Sequence, residues 1–457
     1  MKKLLLIILA LLICLTACTA QKEETANTGD ASDNASETFE TIPEDALLFT
    51  DESGAAAYTV IYPDFPTEII EAAAEDLRSN LTVVTGAKFA KSTDRDTKTK
   101  DKGEILIGLT NREQSKVTET LKEREYVIKV DGNKIVITGG SDYAIITALG
   151  EFQAMFSKDA PYVTETLSVS GKADKTQYLV AVTNRSSQQI DIYDLVPASN
   201  NTMVKVKSLP ISTPAAGLNI RSHATFGDVV VWCGSKHAEI MSYETGEKIW
   251  STDNAADNAH GIELLPNDVV AVASSSGNEV RFFDIFASSS TYKSMKLEDA
   301  HGVLWDPENE VVWALGLSKL TAYKVERTGS GITVTEDTSK SVKLISDYGH
   351  DIAPVYGDTD KMWITTSGGL YIYSKSDKTF TTHINGDNNV IKRSNIKGIG
   401  NFDDGSILSL YPDGALYEWT TQTINLYFKY GDKLYHTTYM TLGTHYYKCR
   451  VLRTDYQ

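Results

Sequence analysis

The sequence predicts a small α+β domain followed by an all-β propeller of six blades. Three observations predict it. An apolar start is followed by a polar tract with nothing to bury, residues 46–171 mix strand and helix patterns, and residues 176–457 repeat a block of strands. The aligned histidines of the repeat are 37, 41 and 49 residues apart, near the roughly 40–50-residue period of propeller blades. With 457 residues the chain is too long for one typical domain.

Composition limits the partners. The chain has 44 Lys+Arg against 61 Asp+Glu, a net charge of -17, so nucleic acid and anionic lipid are excluded as main partners because both repel a net anion. We therefore expect any anion site to be local, and the protein to be a monomer. No nucleophile-elbow, zincin, Walker or paired-cysteine motif occurs. Cys233 and Cys449 are expected to be buried small hydrophobic residues in preference to a disulfide.

The first residues predict export to the cell envelope. Lys2 and Lys3 precede an apolar run that is too short to span a bilayer, and residues 1–17 therefore predict a signal peptide. The run ends in Leu15-Thr16-Ala17-Cys18, which resembles the bacterial lipobox, so Cys18 is the expected lipidated residue. Residues 18–45 are rich in Thr, Ser, Asn and acid and predict a disordered tether. We expect a lipid-anchored protein that faces outside the cytoplasm, with its membrane contact made through the anchor alone.

Residues 46–171 predict the first folded domain. Tyr58 to Tyr62 forms a strand pattern, and residues 67–85 repeat apolar side chains at helical spacing until Gly86 ends them. Asp131-Gly132-Asn133 separates two strand patterns and predicts a hairpin. A second helix is expected from Tyr143 to Phe156. The order β-α-β-β-β-α predicts a small sheet with both helices packed on one face.

This stretch resembles the N-terminal accessory domain of bacterial hexosaminidases and alpha-glucuronidases. The resemblance rests on Tyr58 to Pro63, residues 72–77, residues 84–86, Ile105 to Gly108 with Thr110 to Arg112, and Val130 to Ile137 with Gly139 to Ser141. In those enzymes the domain is usually not catalytic and packs beside a catalytic barrel. The resemblance implies a carbohydrate context without an activity, since residues 176–457 show no barrel pattern.

Residues 176–457 predict the propeller. Four blocks align at His223, His260, His301 and His350, and a weaker copy begins at Ile396. Residues 178–193 lack a first strand, whereas Tyr447 to Val451 is a strand with no blade after it. Joined, they make a sixth sheet, so we expect the C-terminal strand to complete the first blade and remove the free edges. Trp232, Trp313 and Trp363 recur on the second strands and are expected in the core.

This half also resembles a family of bacterial secreted propellers whose function is not established. The resemblance rests on residues 259–266, residues 301–306 with Trp313 to Gly316, residues 349–351 with Trp363 to Thr366, and Tyr446 to Arg450. It supports the alignment of the blades and implies no activity.

The starts of the innermost strands predict a binding site, because they gather at one mouth of the central channel. The aligned residues are His260, His301, His350, Lys397 and Lys448, with Arg221 or His223 from the second blade. All are basic, or can become basic. They would suit a carboxylate or sulfate on a sugar, or His260, His301 and His350 would hold a divalent metal. The alternative is that the repeated histidine only caps blade turns by hydrogen bonding.

Three functions remain open on the sequence. The first is a surface lipoprotein that binds an acidic carbohydrate at the mouth. The second is a polysaccharide lyase, with Lys397 or Lys448 as the candidate base and with or without a metal. The third is a scaffold for a partner protein. No catalytic residue is assigned.

Overall fold

The computed structural model describes residues 42–174, 177–199, 203–329, 331–382, 394–414 and 416–457. Residues 44–457 form one compact unit. The signal peptide, Cys18 and most of the predicted tether lie outside the described residues. Within those ranges, no helix is long and apolar enough to cross a membrane.

The N-terminal part contains a six-stranded mixed sheet and two α-helices. Its elements are β1 Ala46–Leu48, β2 Tyr58–Tyr62, α1 Glu68–Thr85, β3 Ala90–Thr93, β4 Gly103–Ile107, a 3₁₀ helix Glu113–Thr120, β5 Glu125–Asp131, β6 Lys134–Gly139, α2 Asp142–Gln153, β7 Tyr162–Thr164 and β8 Ser168–Lys172. The sheet has the order β3-β2-β4-β6-β5-β8, and β1 pairs with β7.

The local signals explain these elements. Thr67 caps α1 by accepting from the Ile70 N–H, and Gly86 ends the helix in the left-handed region. Both α-helices pack on one face of the sheet, as predicted, and share a hydrophobic core with it. On the other face Ile61, Leu106 and Val136 pack with the 3₁₀ helix.

The remaining strands form six antiparallel sheets. The blades are β9 Tyr178–Asn184, β10 Gln189–Leu195 and β11 Met203–Pro210; β12 Gly217–His223, β13 Gly227–Gly234, β14 His237–Ser242 and β15 Lys248–Thr252; β16 Ala259–Leu264, β17 Val269–Ser274, β18 Glu279–Asp284 and β19 Lys293–Lys296; β20 Gly302–Asp306, β21 Val311–Leu315, β22 Lys319–Thr328, β23 Gly331–Glu336 and β24 Val342–Lys343; β25 Gly349–Pro354, β26 Lys361–Thr366, β27 Leu370–Ser374 and β28 Thr379–Thr381; β29 Gly398–Asn401, β30 Ile407–Leu410, β31 Thr423–Tyr430 and β32 Lys433–Met440. The last strand, β33 Tyr446–Val451, pairs with β9 in the first blade. The six-blade propeller closed by the C-terminal strand is therefore confirmed.

The inner strands approach one another closely at glycine positions. A Cβ on Gly217 would lie 2.7 Å from the His260 carbonyl oxygen, and one on Gly261 would lie 2.8 Å from the His301 carbonyl oxygen. Glycine at these positions therefore lets neighbouring blades meet at the channel.

The packing between blades is apolar. Trp232, Trp313 and Trp363 are buried, which confirms their predicted core role. Cys233 and Cys449 are both free and buried, which confirms their expected burial.

The N-terminal part packs against the first and last blades. Tyr143 of α2 contacts Tyr178 and Phe428 edge to face, with ring centroids 6.1 and 5.7 Å apart. Arg124 pairs with Asp194 of β10 at 2.8 Å. The two parts thus share one continuous hydrophobic core.

Candidate binding site at the channel mouth

A repeated turn precedes four of the inner strands. The turn places a residue in the left-handed region, with φ between 47° and 59°. This residue lies two positions before each aligned His or Lys at the channel mouth. These turn residues are Asn258, Asp299, Tyr348 and Asn395, which precede His260, His301, His350 and Lys397. Asn and Asp tolerate this conformation better than other residues with side chains. The repeat is therefore one of backbone conformation as well as of side-chain type.

Irregular strand pairing then places the side chains at the channel. The register shifts between Ala259 and Gly261 and between Gly349 and Asp351, which leaves His260 and His350 as bulged residues. A similar shift in β33 spans Tyr447 and Lys448. Bulges of this kind redirect a side chain without ending the sheet.

The aligned His and Lys residues of five blades are close together. The ring centroids of His260 and His301 are 4.6 Å apart, and those of His301 and His350 are 5.4 Å apart. Lys397 Nζ lies 3.2 Å from His350 Nδ1. Lys448 Nζ lies 3.2 Å from the His350 carbonyl oxygen. The structure thus brings His260, His301, His350, Lys397 and Lys448 to one mouth.

Two of the histidines have a defined tautomer. Nδ1 of His260 is 2.8 Å from the Asn258 carbonyl oxygen, and Nδ1 of His301 is 2.9 Å from the Asp299 carbonyl oxygen. Because a carbonyl only accepts, each Nδ1 carries the proton. Each Nε2 then keeps a lone pair, and neither has a hydrogen-bond partner in the part of the chain that the structure describes. The turn-capping role and a binding role are therefore compatible in the same side chain.

The histidines are neutral near pH 7. Burial, followed by the charge of Lys397, lowers the pKa of His350 to about 3. Burial also lowers the pKa of His260 well below its ordinary value, with a further contribution from His301, and it lowers the pKa of His301. Neutral imidazoles accept hydrogen bonds from hydroxyl groups.

The two lysines differ in their partners. Lys448 Nζ lies 3.0 Å from Asp351 Oδ1, and Arg450 binds the same carboxylate at 2.8 Å. Lys397 is 7% exposed and forms no ion pair with any described carboxylate. Burial, followed by the charge of Lys448, lowers the pKa of Lys397 to about 8. Lys397 is therefore a cation at pH 7 without an ion-pair partner among the described residues, although Asp299 is near enough to oppose the lowering of its pKa.

A cavity of about 580 Å³ opens beside Lys397, within the range of small-molecule sites. Its lining residues are His350, Ser394, Asn395, Lys397, Tyr411, Pro412, Glu418 and Trp419. It therefore combines a cation, one carboxylate (Glu418), neutral polar groups and an aromatic surface.

Four further residues at this mouth were not predicted from the sequence. Tyr447 contacts His260, with ring centroids 5.5 Å apart. Tyr417 and Trp419, which are 53% and 42% exposed, stack on each other at 5.5 Å. The guanidinium carbon of Arg185 lies 5.0 Å from the Trp419 ring centroid. The available signal was the pair of aromatic residues in the long loop between β30 and β31, which no core position explains.

The structure does not bring Arg221 and His223 into this cluster. Arg221 is buried further along the channel, where it pairs with Glu263 at 2.6 Å. His223 ends β12 and contacts Asp268 at 3.0 Å. In the second blade, the position that His260 and His301 occupy directly before a glycine is taken by Ala216, which precedes Gly217. Pro214 stands two positions earlier, and its fixed negative φ prevents the left-handed turn of the other blades.

The metal prediction stays a prediction. In the described ranges, no group of three or more His, Cys, Asp or Glu side chains is arranged to hold a metal ion.

The comparisons with known proteins show a family match and two structural likenesses. Residues 231–452 match the sequence profile of a family of unknown function, DUF6528. No curated protein sequence matches the chain. A functionally unknown protein from Desulfotomaculum acetoxidans DSM 771 is similar at 10% identity and a TM-score of 0.38, over 57% of this chain and 80% of that one. A chain of the nidogen/laminin complex is similar at 12% identity and a TM-score of 0.41, over 60% of this chain and 97% of that one.

The family match covers the propeller from its second blade to its closing strand. Because the match begins at residue 231, the resemblance of residues 46–171 to the hexosaminidase accessory domain stays a prediction. The protein thus contains a β-propeller that matches a family of unknown function.

Proposed function

We propose that the protein is a lipid-anchored protein of the bacterial cell envelope that binds an acidic carbohydrate at the channel mouth. The observation that carries the proposal is Lys397, a cation without a described carboxylate partner among neutral histidines and beside a cavity. A carboxylate or sulfate would form a charge-assisted hydrogen bond with its ammonium group.

The other groups at the mouth suit a sugar. The free Nε2 atoms of His260 and His301 can accept hydrogen bonds from hydroxyl groups. Asn395 and Ser394 add polar atoms, and Trp419 supplies an aromatic surface. A partner protein would need no such combination, so the scaffold hypothesis explains these residues least.

The test is calorimetric titration of residues 44–457, a compact unit of their own. Oligogalacturonate and a neutral oligosaccharide of equal length would be compared. We expect saturable binding of the acidic sugar and its loss in Lys397→Gln. As a matched control, Lys319→Gln removes the same charge from an exposed lysine that pairs with Glu336. Equal binding of both sugars, or unchanged binding in Lys397→Gln, would overturn the proposal.

A lyase is the second candidate, favoured by the lowered pKa of Lys397. With a pKa of about 8, a fraction of this lysine is a neutral amine at pH 7. The amine would take the C5 proton of a uronate, the electron pair would form the C4=C5 double bond, and the C4–O bond would break with protonation of the leaving oxygen. Lys448 is a poorer base because it is paired with Asp351. An ultraviolet-absorbing unsaturated product would separate turnover from binding.

The anchor has its own test. Labelling of cells with a fatty acid should mark the wild-type protein and leave Cys18→Ala unlabelled. An unlabelled wild-type protein would exclude the anchor without affecting the binding proposal.

A further inference from the structure

A second cation lies at the mouth, on the first blade. Arg185 directly follows β9, and its guanidinium donates to the carbonyl oxygens of Pro214 and Ala215 at 3.3 and 2.9 Å. It is partly exposed and forms no ion pair with any carboxylate in the described ranges. Burial lowers the pKa of Arg185, but an arginine stays charged at neutral pH. The backbone contacts hold this charge in a fixed position.

The two cations are arranged around one ring. Arg185 Cζ and Lys397 Nζ each lie 5.9 Å from the Tyr447 ring centroid, so the distance between them is at most twice that value. Trp419 connects the two positions, because its indole lines the cavity of Lys397 and also contacts Arg185. Lys448 is equally close to Tyr447, but Asp351 neutralises it.

Tyr447 offers a further polar group to a ligand at the mouth. Its side chain is 4% exposed, yet its hydroxyl has no hydrogen-bond partner among the described residues. The hydroxyl is not one of the fully enclosed polar atoms that lack a partner, so it is accessible at the mouth. His260 and Trp419 meet the same ring edge to face, at 5.5 and 5.6 Å. A hydroxyl without a hydrogen-bond partner among the described residues thus lies near two cations that form no ion pair with a described carboxylate.

We propose that the mouth recognises an oligosaccharide with at least two anionic groups, one bound by Lys397 inside the cavity and the next by Arg185 beyond Trp419. The Tyr447 hydroxyl binds the sugar between them. A single acidic sugar satisfies only one cation. This inference rests on the proposed function and names the ligand class of that site.

The experiment compares galacturonate with its trimer by calorimetry on residues 44–457. We expect the trimer to bind at least tenfold more tightly than the monosaccharide. Arg185→Gln should weaken the trimer about tenfold and leave the monosaccharide unchanged, whereas Lys397→Gln should weaken both. The control is Arg281→Gln, which removes an arginine that stacks on Tyr292 and pairs with Glu279.

The outcomes separate this inference from the proposed function. Binding of the trimer with no loss in Arg185→Gln, or equal affinity for monosaccharide and trimer, would overturn the two-anion site alone. No binding of either sugar to the wild-type protein would overturn the proposed function and this inference with it. If Arg185→Gln fails to fold, Tyr447→Phe replaces it, with an expected loss of about five- to tenfold on the trimer. Unchanged trimer affinity in that variant would also contradict the proposal.

Discussion

The two ends of the channel use the same kinds of residue in opposite ways. Away from the mouth, Arg221 binds Glu263 through two hydrogen bonds of 2.6 and 2.7 Å, and residues 452–457 cross the blades. Within that segment Tyr456 donates to the Leu264 carbonyl oxygen, and Gln457 donates to the Lys361 carbonyl oxygen. At the mouth, Lys397 and Arg185 form no ion pair with a carboxylate in the described ranges, although Asp299 and Glu418 lie near Lys397. The paired charges away from the mouth stabilise the fold, whereas the cations at the mouth that lack an ion-pair partner are what an anionic ligand requires.

The largest expected effect lies at the paired end. Arg221→Met leaves Glu263 buried without its cation, and we expect a loss of about 3–5 kcal/mol in the free energy of unfolding. Urea denaturation of residues 44–457 measures it. Adding Glu263→Leu should restore most of the loss, and a single variant as stable as the wild type would contradict the comparison.

Lys397→Met should have the reverse profile at the mouth. Affinity for an acidic oligosaccharide should fall about 10- to 100-fold, because a charge-assisted hydrogen bond is lost. The free energy of unfolding should stay equal or rise, since the folded state no longer holds a desolvated cation. Calorimetry and urea denaturation on the same sample test both. A large fall in stability would show that Lys397 supports the fold.

The pH dependence sharpens the comparison further. Lys397 faces His350, His301, Lys448, Asp299 and Tyr447, and its pKa of about 8 means that the charge is present below that pH and lost above it. Binding of a galacturonate oligomer should therefore weaken about tenfold between pH 7 and pH 9. Because the pKa of His350 is about 3, no gain is expected between pH 7 and pH 5. A rise in affinity over that acidic range would mean that the histidines carry charge.

The smallest effect belongs to the segment that crosses the far end. Tyr456→Phe removes its 2.7 Å hydrogen bond to the Leu264 carbonyl oxygen, and we expect a loss of about 0.5–1.5 kcal/mol. Thermal unfolding measures it. Ligand affinity should not change, and a change would show that the two ends of the channel are coupled.

The sequence predicted the blades well because a propeller repeats a local pattern. Alternating apolar residues and turns set each strand, and the second-strand tryptophans marked the core. The clustering of the aligned His and Lys residues was predicted from five blades, and in four of them the residue follows the same turn, at Asn258, Asp299, Tyr348 and Asn395. The prediction was wrong in the second blade, because His223 was aligned with the other histidines by residue type alone. Pro214 was not considered, although proline cannot adopt the left-handed turn.

The missed residues have a different cause. Arg185, Tyr417 and Trp419 lie outside the strands, in segments that the repeat does not fix. Only the closure of the propeller brings them beside Tyr447, and closure joins parts of the chain that are far apart in sequence. Short-range patterns cannot specify such a contact.

The closing strand has a consequence for how the protein folds. Lys448 N–H bonds to Thr183 across 265 residues of sequence, and contacts this distant form late and slowly. During synthesis, one edge of β9 stays unpaired until β33 leaves the ribosome. Because an unpaired strand edge can pair with another chain, the incomplete chain is prone to aggregation. Because Tyr447 and Lys448 lie on that same strand, the candidate site is complete only after the strand has paired. Under the proposed function, a chain that can bind its ligand is therefore one in which the propeller has already closed.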